Sequence, residues 1–231
     1  MIAAVGEASP AADARVDYDE AARLHADFDS ESFREHPEAA ARIDFDNIDY
    51  ALLSAAVFHE TNRVRGEHDL PLLGYRGEVA KAAEIQARAM AETETVTHEH
   101  PEEEKRMLID RLEYVGLQPA FGAENVAMTF GIEYESGRSV VARKEEGRIV
   151  FSYEPGGEPI EPHTYLSYAA DLVEQWMGSP GHRENIISEQ PEELGAANVH
   201  GVKEMGMDIF YSVQVFFAEL DVPPGAEVIR E

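Results

Sequence analysis

The sequence predicts an α+β fold in which helices pack on an antiparallel sheet. Two observations carry this. Segments with helical periodicity come first, between Ile48 and Leu117, and segments with strand alternation follow, interrupted by one further helix. No strand–helix–strand alternation appears, which argues against a doubly wound parallel sheet, and no internal repeat is visible.

The elements read as follows. From Met1 to Asp46 the chain is acidic and Ala-rich with scattered aromatics. It is too polar to form a core alone, so it reads as an extension that lays Phe28, Phe33, Ile43 or Phe45 on the main body. For its first part a disordered tail is the competing reading. "IDYALLSAAVFHETNRVRGEHDLP" is a helix, because Leu52, Ala55, Ala56, His59, Asn62 and Arg63 recur at helical spacing and Pro71 closes the segment. "GEVAKAAEIQARAMAETE" is a second, with Val79, Ala83, Ala87 and Met90 along one stripe. "PEEEKRMLIDRLEYVGL" is a third, with Pro101 and the acids in its first turn and Gly116 as its C-terminal cap.

The period then changes. "FGAENVAMTF" alternates like a strand, and "RSVVARKEEGRIVFSY" reads as a hairpin turning at Lys144 to Gly147. After the loop "GGEPIEPH", "TYLSYAADLVEQWM" is a fourth helix. "LGAANVHGV" and "DIFYSVQVFFAEL" close the chain as strands. The last is apolar on both faces, the mark of a central strand covered on both sides.

At 231 residues the chain suits one full-sized domain with an extension or an insertion, and 44% hydrophobic residues supply a substantial core. No run approaches the ~20 apolar residues of a membrane span. The start "MIAAVGEASP" shows no signal peptide, leaving a cytoplasmic protein or a mature chain without its leader as readings. The absence of cysteine excludes a disulfide scaffold, thiolate metal sites and thiol nucleophiles. A net charge of −27 repels nucleic acid and anionic lipid surfaces and leaves cationic ligands open; solubility or adaptation to high salt accounts for it, since Lys occurs only at Lys81, Lys105, Lys144 and Lys203.

Two zinc-protease motifs fail: after "HETNR" at His59 the second His place holds Arg63, and after "HEHPE" at His98 it holds Glu102. Ser179 lacks the strand–elbow context of a hydrolase nucleophile. In "WMGSPGHRENII", Ser179 and Pro180 form an N-cap and first helical residue, so a new short helix starts there with His182 in its first turn. The helix dipole favours a neutral His182, able to accept a proton or ligate a metal. Glu124 shares a strand face with the apolar Val126 and Met128, so it needs a partner or reaches water. His98 and His100 alternate onto one side, a spacing that can chelate a metal but is also common in acidic loops.

In order along the chain, "TNRVRGEHDLPLL", "EVAKAAEIQARAMAE", "THEHP", "RLEYVGL", "AENVA", "WMGSPGHRENII", "LGAANV" and "VQVFF" resemble the CAP superfamily (cysteine-rich secretory proteins, antigen 5 and plant pathogenesis-related proteins of group 1), in its bacterial extracellular SCP-domain form. The resemblance covers Ile48 to Leu220 and implies an α–β–α sandwich with a central antiparallel sheet and helices on both faces. It divides the chain into an extension over 1–46, a domain over 47–222 with a hairpin insertion near 136–160, and a tail over 223–231. It also implies a cleft built on His98, His182 and Glu124, and export to an extracellular, periplasmic or cell-envelope location. The family's second cleft acid falls at Ser179, which leaves Glu174 or Glu99 as substitutes. Two function classes follow: a binding module whose cleft takes a divalent metal, a peptide or a lipid-like molecule, or a metal-assisted hydrolase. In the latter, His98 and His182 would hold Zn²⁺ or act as bases and Glu124 would act as general acid/base. Two histidine ligands fall short of the usual three, which favours binding.

Overall fold

Most of the longer helices begin where a short polar side chain takes up free amide groups. In the computed structural model, which describes residues 16–145 and 147–221, Asp17 caps α1 (Tyr18–Asp27) and Asp49 caps α2 (Tyr50–Glu67). The expectations for the first part of the extension and for the tail over 223–231 lie outside the described residues. After α2 come β1 (Gly74–Tyr75), α3 (Gly77–Thr93), α4 (Leu108–Tyr114), β2 (Pro119–Phe130), β3 (Val141–Glu145) and β4 (Arg148–Ser152). The chain continues through α5 (Tyr165–Met177), α6 (Pro180–Ile186), β5 (Glu193–Lys203) and β6 (Met207–Glu219). Thr164 and Ser167 form a reciprocal capping box at the start of α5.

The main sheet has the order β1-β5-β6-β2, with β6 antiparallel to both long neighbours and the two-residue β1 parallel to β5. The doubly apolar segment is thus an interior strand, as expected. Its alternate side chains feed two cores. Phe210 and Phe216 join residues of α2 and α5, while Ile209, Val213, Val215 and Phe217 join residues of α3 and α4. Helices therefore cover both faces, the α–β–α sandwich, and each fully buried Phe contributes roughly 1.5–3 kcal/mol. Packing of α3 on β5 requires glycine at 195, where a Cβ would stand 2.2 Å from the Ala80 nitrogen.

The extension contributes Ala21, Leu24, Phe33 and Ile43 to the α2/α5 core, with Phe28 and Phe45 partly buried against the molecule. The hairpin forms a separate two-stranded sheet, closed at Glu145 and Arg148.

Three sequence expectations need correction. The third helix does not start near Pro101: a single 3₁₀ turn spans Glu103–Lys105 and α4 begins only at Leu108, where the Asp110 side chain accepts the Met107 N–H. Carbonyls of the preceding segment turn onto Arg111 instead of joining a helix. Arg63 does not belong to the buried face of α2, because Glu60 and Glu67 hold it at the surface. Ser179 stands at the N-cap of α6 but its hydroxyl makes no capping bond, so Pro180 alone marks the start.

Candidate functional site

Glu124 sits in the middle of β2, on the face that carries Val126 and faces α3 and α4. Its side chain is only 3% exposed, and a carboxylate so deep needs charged or hydrogen-bonding partners. Arg111 of α4, fully buried, donates from Nη2 to Oε2 at 2.5 Å. His98, in the loop after α3, approaches Oε1 through Nδ1 at 2.8 Å. Both carboxylate oxygens are thereby engaged.

Arg111 does more than neutralise Glu124. Its Nη1 donates to the carbonyls of His98, Lys105 and Arg106, at 3.2–3.3 Å. One guanidinium therefore holds the carboxylate that orients the His98 ring and the backbone that carries it. His98 itself is 54% exposed, and Nε2 has no partner among the described residues. With Glu124 accepting, Nδ1 is the protonated nitrogen in the neutral ring, leaving Nε2 available to a ligand. The Glu124 hydrogen bond raises the pKa of His98 above the ordinary value, against an opposing effect of burial.

His182 reaches the same region from the first turn of α6. A chain of amides, fully buried at Asn125 and Gln214, ties that short helix to the sheet. Asn125 donates to the His182 carbonyl at 3.1 Å and to Gln214 Oε1 at 3.1 Å, and Gln214 donates to Thr61 Oγ1 at 2.6 Å. Asn185 donates to Asn125 Oδ1 at 2.8 Å and to the Glu124 carbonyl at 3.3 Å. The pKa of His182 is lowered, first by burial and then by the charge of His98. The expected preference for neutral imidazole holds, with burial and His98 as its causes.

The remaining candidates lie apart from this arrangement. His100 is buried within its loop, where Nδ1 accepts the Glu102 N–H at 3.1 Å, and burial lowers its pKa. Glu99 is exposed and bound to Arg106. Glu174 borders a different cavity, beside His163, Asp171 and Gln175. Neither places a second carboxylate on the His98–Glu124 pair, and Ser179 makes no side-chain hydrogen bond.

The sequence reading missed Arg111, Asn125, Asn185 and Gln214 as builders of the site. A signal existed for the first: Leu108, Arg111, Leu112 and Val115 share one helical stripe, and a cation inside an apolar stripe demands a buried acid. For Gln214 it was a polar residue within an otherwise apolar strand.

For zinc, the donors are the two imidazoles alone, since Glu124 is committed to Arg111 and His98. Among the described residues no group of three or more His, Asp or Glu side chains is assembled around an ion position. That does not fit a closed structural site of four ligands or a catalytic site of three.

A family model described as "CAP: Cysteine-rich secretory protein family" matches residues 58–216, well over half of the chain. No curated protein matches it. Solved structures that resemble it include an extracellular protein containing a SCP domain from Bacillus anthracis, at 22% identity and a TM-score of 0.49 over 74% of this chain and 42% of that one. An outer surface protein from Borrelia burgdorferi aligns at 18% identity and a TM-score of 0.47, over 71% of this chain and 90% of that one. A cysteine-rich secretory protein from Staphylococcus aureus aligns at 15% identity and 0.43, over 73% and 38%. The chain thus spans less than half the length of the Bacillus and Staphylococcus proteins. Among the described residues no helix is long and apolar enough to cross a membrane.

Proposed function

The chain belongs to the CAP family, and from that premise we propose that it is an exported binding module whose ligand docks on the exposed edge of His98 beside His182. One observation carries the reading. A fully buried Arg111–Glu124 pair lies beneath a half-exposed imidazole and fixes its tautomer and direction. Burying two charges to orient one ring is expensive in a fold that needs neither for its core, so the group they orient has a use at the surface. The ligand is a peptide or a lipid-like molecule presenting an acceptor to His98, or a divalent cation held in exchange by the two imidazoles with the ligand completing its shell.

Calorimetric titration with Zn²⁺, beside a His98→Ala/His182→Ala variant, tests the cation form. Saturable uptake of about one ion, lost in the variant, supports it. Uptake that the double substitution leaves unchanged assigns the ion to the −27 surface and favours the peptide or lipid-like ligand. Metal-assisted hydrolysis is the weaker reading, because a Glu124 with both oxygens engaged is poorly placed to relay a proton. Export is supported by the family alone; fractionation of the native host tests it, and a wholly cytoplasmic pool would overturn it.

A further inference from the structure

The segment from Val16 to Asp46 lies outside the stretch matched by the family model and packs against the domain through Phe33, Ala39 and Ile43, through Arg42 paired with Glu133, and through a contact that sets two imidazoles together in an apolar setting. His25 of α1 stacks on Tyr75 with ring centroids 4.0 Å apart and meets Phe58 edge-on at 4.3 Å. His59 of α2 stacks on Phe33 at 4.4 Å, and the two imidazole centroids are 5.4 Å apart. Nδ1 of His25 is buried without a hydrogen-bond partner, and His59 makes one long contact, 3.4 Å from Nε2 to the Leu24 carbonyl. We propose that residues 16–46 form an acid-released clasp, and that its catch is the His25–His59 pair.

The surroundings explain why a proton would open it. Neither ring has a carboxylate in salt-bridge contact among the described residues, in contrast to His163, His200 and His98, which face Asp171, Asp208 and Glu124. The charged groups around the pair are few. Asp29 feels the charge of His59, but its carboxylate already accepts from Ser32 and from the Glu31 amide. A cavity of about 280 Å³ beside His59 is also lined by Arg34, Glu60 and Arg63, where Glu60 is paired with Arg63. On the side of Tyr75, Glu78 is an acid acting on the phenol. His36, next to Phe28 and Phe33, adds a second buried ring nitrogen without a partner among the described residues.

A proton on either ring is therefore uncompensated while the clasp is shut. Burial pushes His25 down to about 3, helped by His59, and pushes His59 down to about 4. Once the segment lifts away, both rings return to the ordinary value near 6.5. For groups with depressed values of this kind, the stabilisation is complete above about 6.5 and is lost as pH falls towards 4. Each histidine multiplies the opening equilibrium by up to tenfold per pH unit, so the pair shifts it on the order of 10³-fold between pH 7 and pH 5. Opening exposes Phe58 and His59 of α2 and Tyr75 of β1, an aromatic face of the domain.

Hydrogen exchange of the full chain between pH 7.5 and 4.5, corrected for intrinsic rate, tests this. Amides of residues 16–46 should lose protection between about pH 6 and pH 5 while those of β6 keep theirs, and His25→Phe/His59→Phe should move the loss to lower pH by a unit or more. The proposal is overturned if the segment stays protected until β6 unfolds, or if the double substitution folds and opens at the same pH as the parent. Should that variant not fold, ring titration of the parent by NMR decides. Rings that protonate only as the amides of 16–46 shift uphold the clasp; rings that titrate near 6.5 while those amides stay unchanged overturn it.

Discussion

Two pairs of histidines sit in one molecule under opposite conditions. His98 and His182 are partly exposed; the charged Arg111–Glu124 pair sets the direction of one ring, and the Asn125 amide holds the backbone of the other. His25 and His59 are enclosed by aromatic rings, with no acid in salt-bridge contact among the described residues. The same side chain is the proposed ligand handle in one place and a packing group in the other. The difference lies in access and partner, and in the direction of the response to acid: His98 holds its proton more firmly than usual, whereas His25 and His59 resist taking one.

The comparison breaks most severely if the charged apparatus is removed. Arg111→Met should destabilise the protein by about 3–5 kcal/mol in urea unfolding, because Glu124 is left as a buried charge without its cation. Arg111→Met/Glu124→Leu should recover a large share of that loss. A single substitution costing less than about 1 kcal/mol would mean that water already reaches Glu124.

Within the two pairs, His59→Ala should cost about 2 kcal/mol or more, since it empties a packed site between Phe33 and Phe58. His98→Ala should stay within about 0.5–1 kcal/mol, because a half-exposed ring loses little packing. Equal costs would erase the distinction between enclosed and open histidines.

Acid and base sharpen the contrast further. Because the folded value of His98 is raised, its contribution to stability is present below about 6.5 and fades as pH rises through the folded value. Glu124→Gln should lower the NMR titration midpoint of the His98 ring towards the ordinary value and leave His25 and His59 untouched. No movement of His98 would show that the 2.8 Å contact does not set its proton affinity.

The smallest effect concerns Zn²⁺. Only neutral imidazole ligates, so affinity should fall as pH drops through about 6.5, with His98 failing first because its value is raised and that of His182 is lowered. Glu124→Gln should weaken uptake less than either His→Ala, as expected of a group that orients a ligand without being one. Calorimetry at pH 7.5 and 6.0 checks both statements.

Much of this architecture was legible in local patterns. The periodicity of Leu52 to Asn62, the Gly116 cap, the hairpin turn before Arg148 and the doubly apolar β6 each depend on neighbours within a few residues, and each lies where expected. Ordered motifs placed His98, Glu124 and His182 within the resemblance. Local pattern failed at Pro101, where helix-compatible residues form a loop because Arg111 draws their carbonyls to itself.

Backbone period and side-chain polarity, properties of short stretches, were enough to mark which segments are helices or strands, which strand lies inside the sheet and which residues are equipped for chemistry. What those residues meet depends on the folding of distant segments onto one another. Glu124 meets Arg111 across 13 positions, Asn125 meets His182 across 57, and Gln214 meets Thr61 across 153. The proton affinities of His98, His25 and His59 follow from such distant partners or from burial without them, since burial and nearby charge decide whether an imidazole can carry a proton.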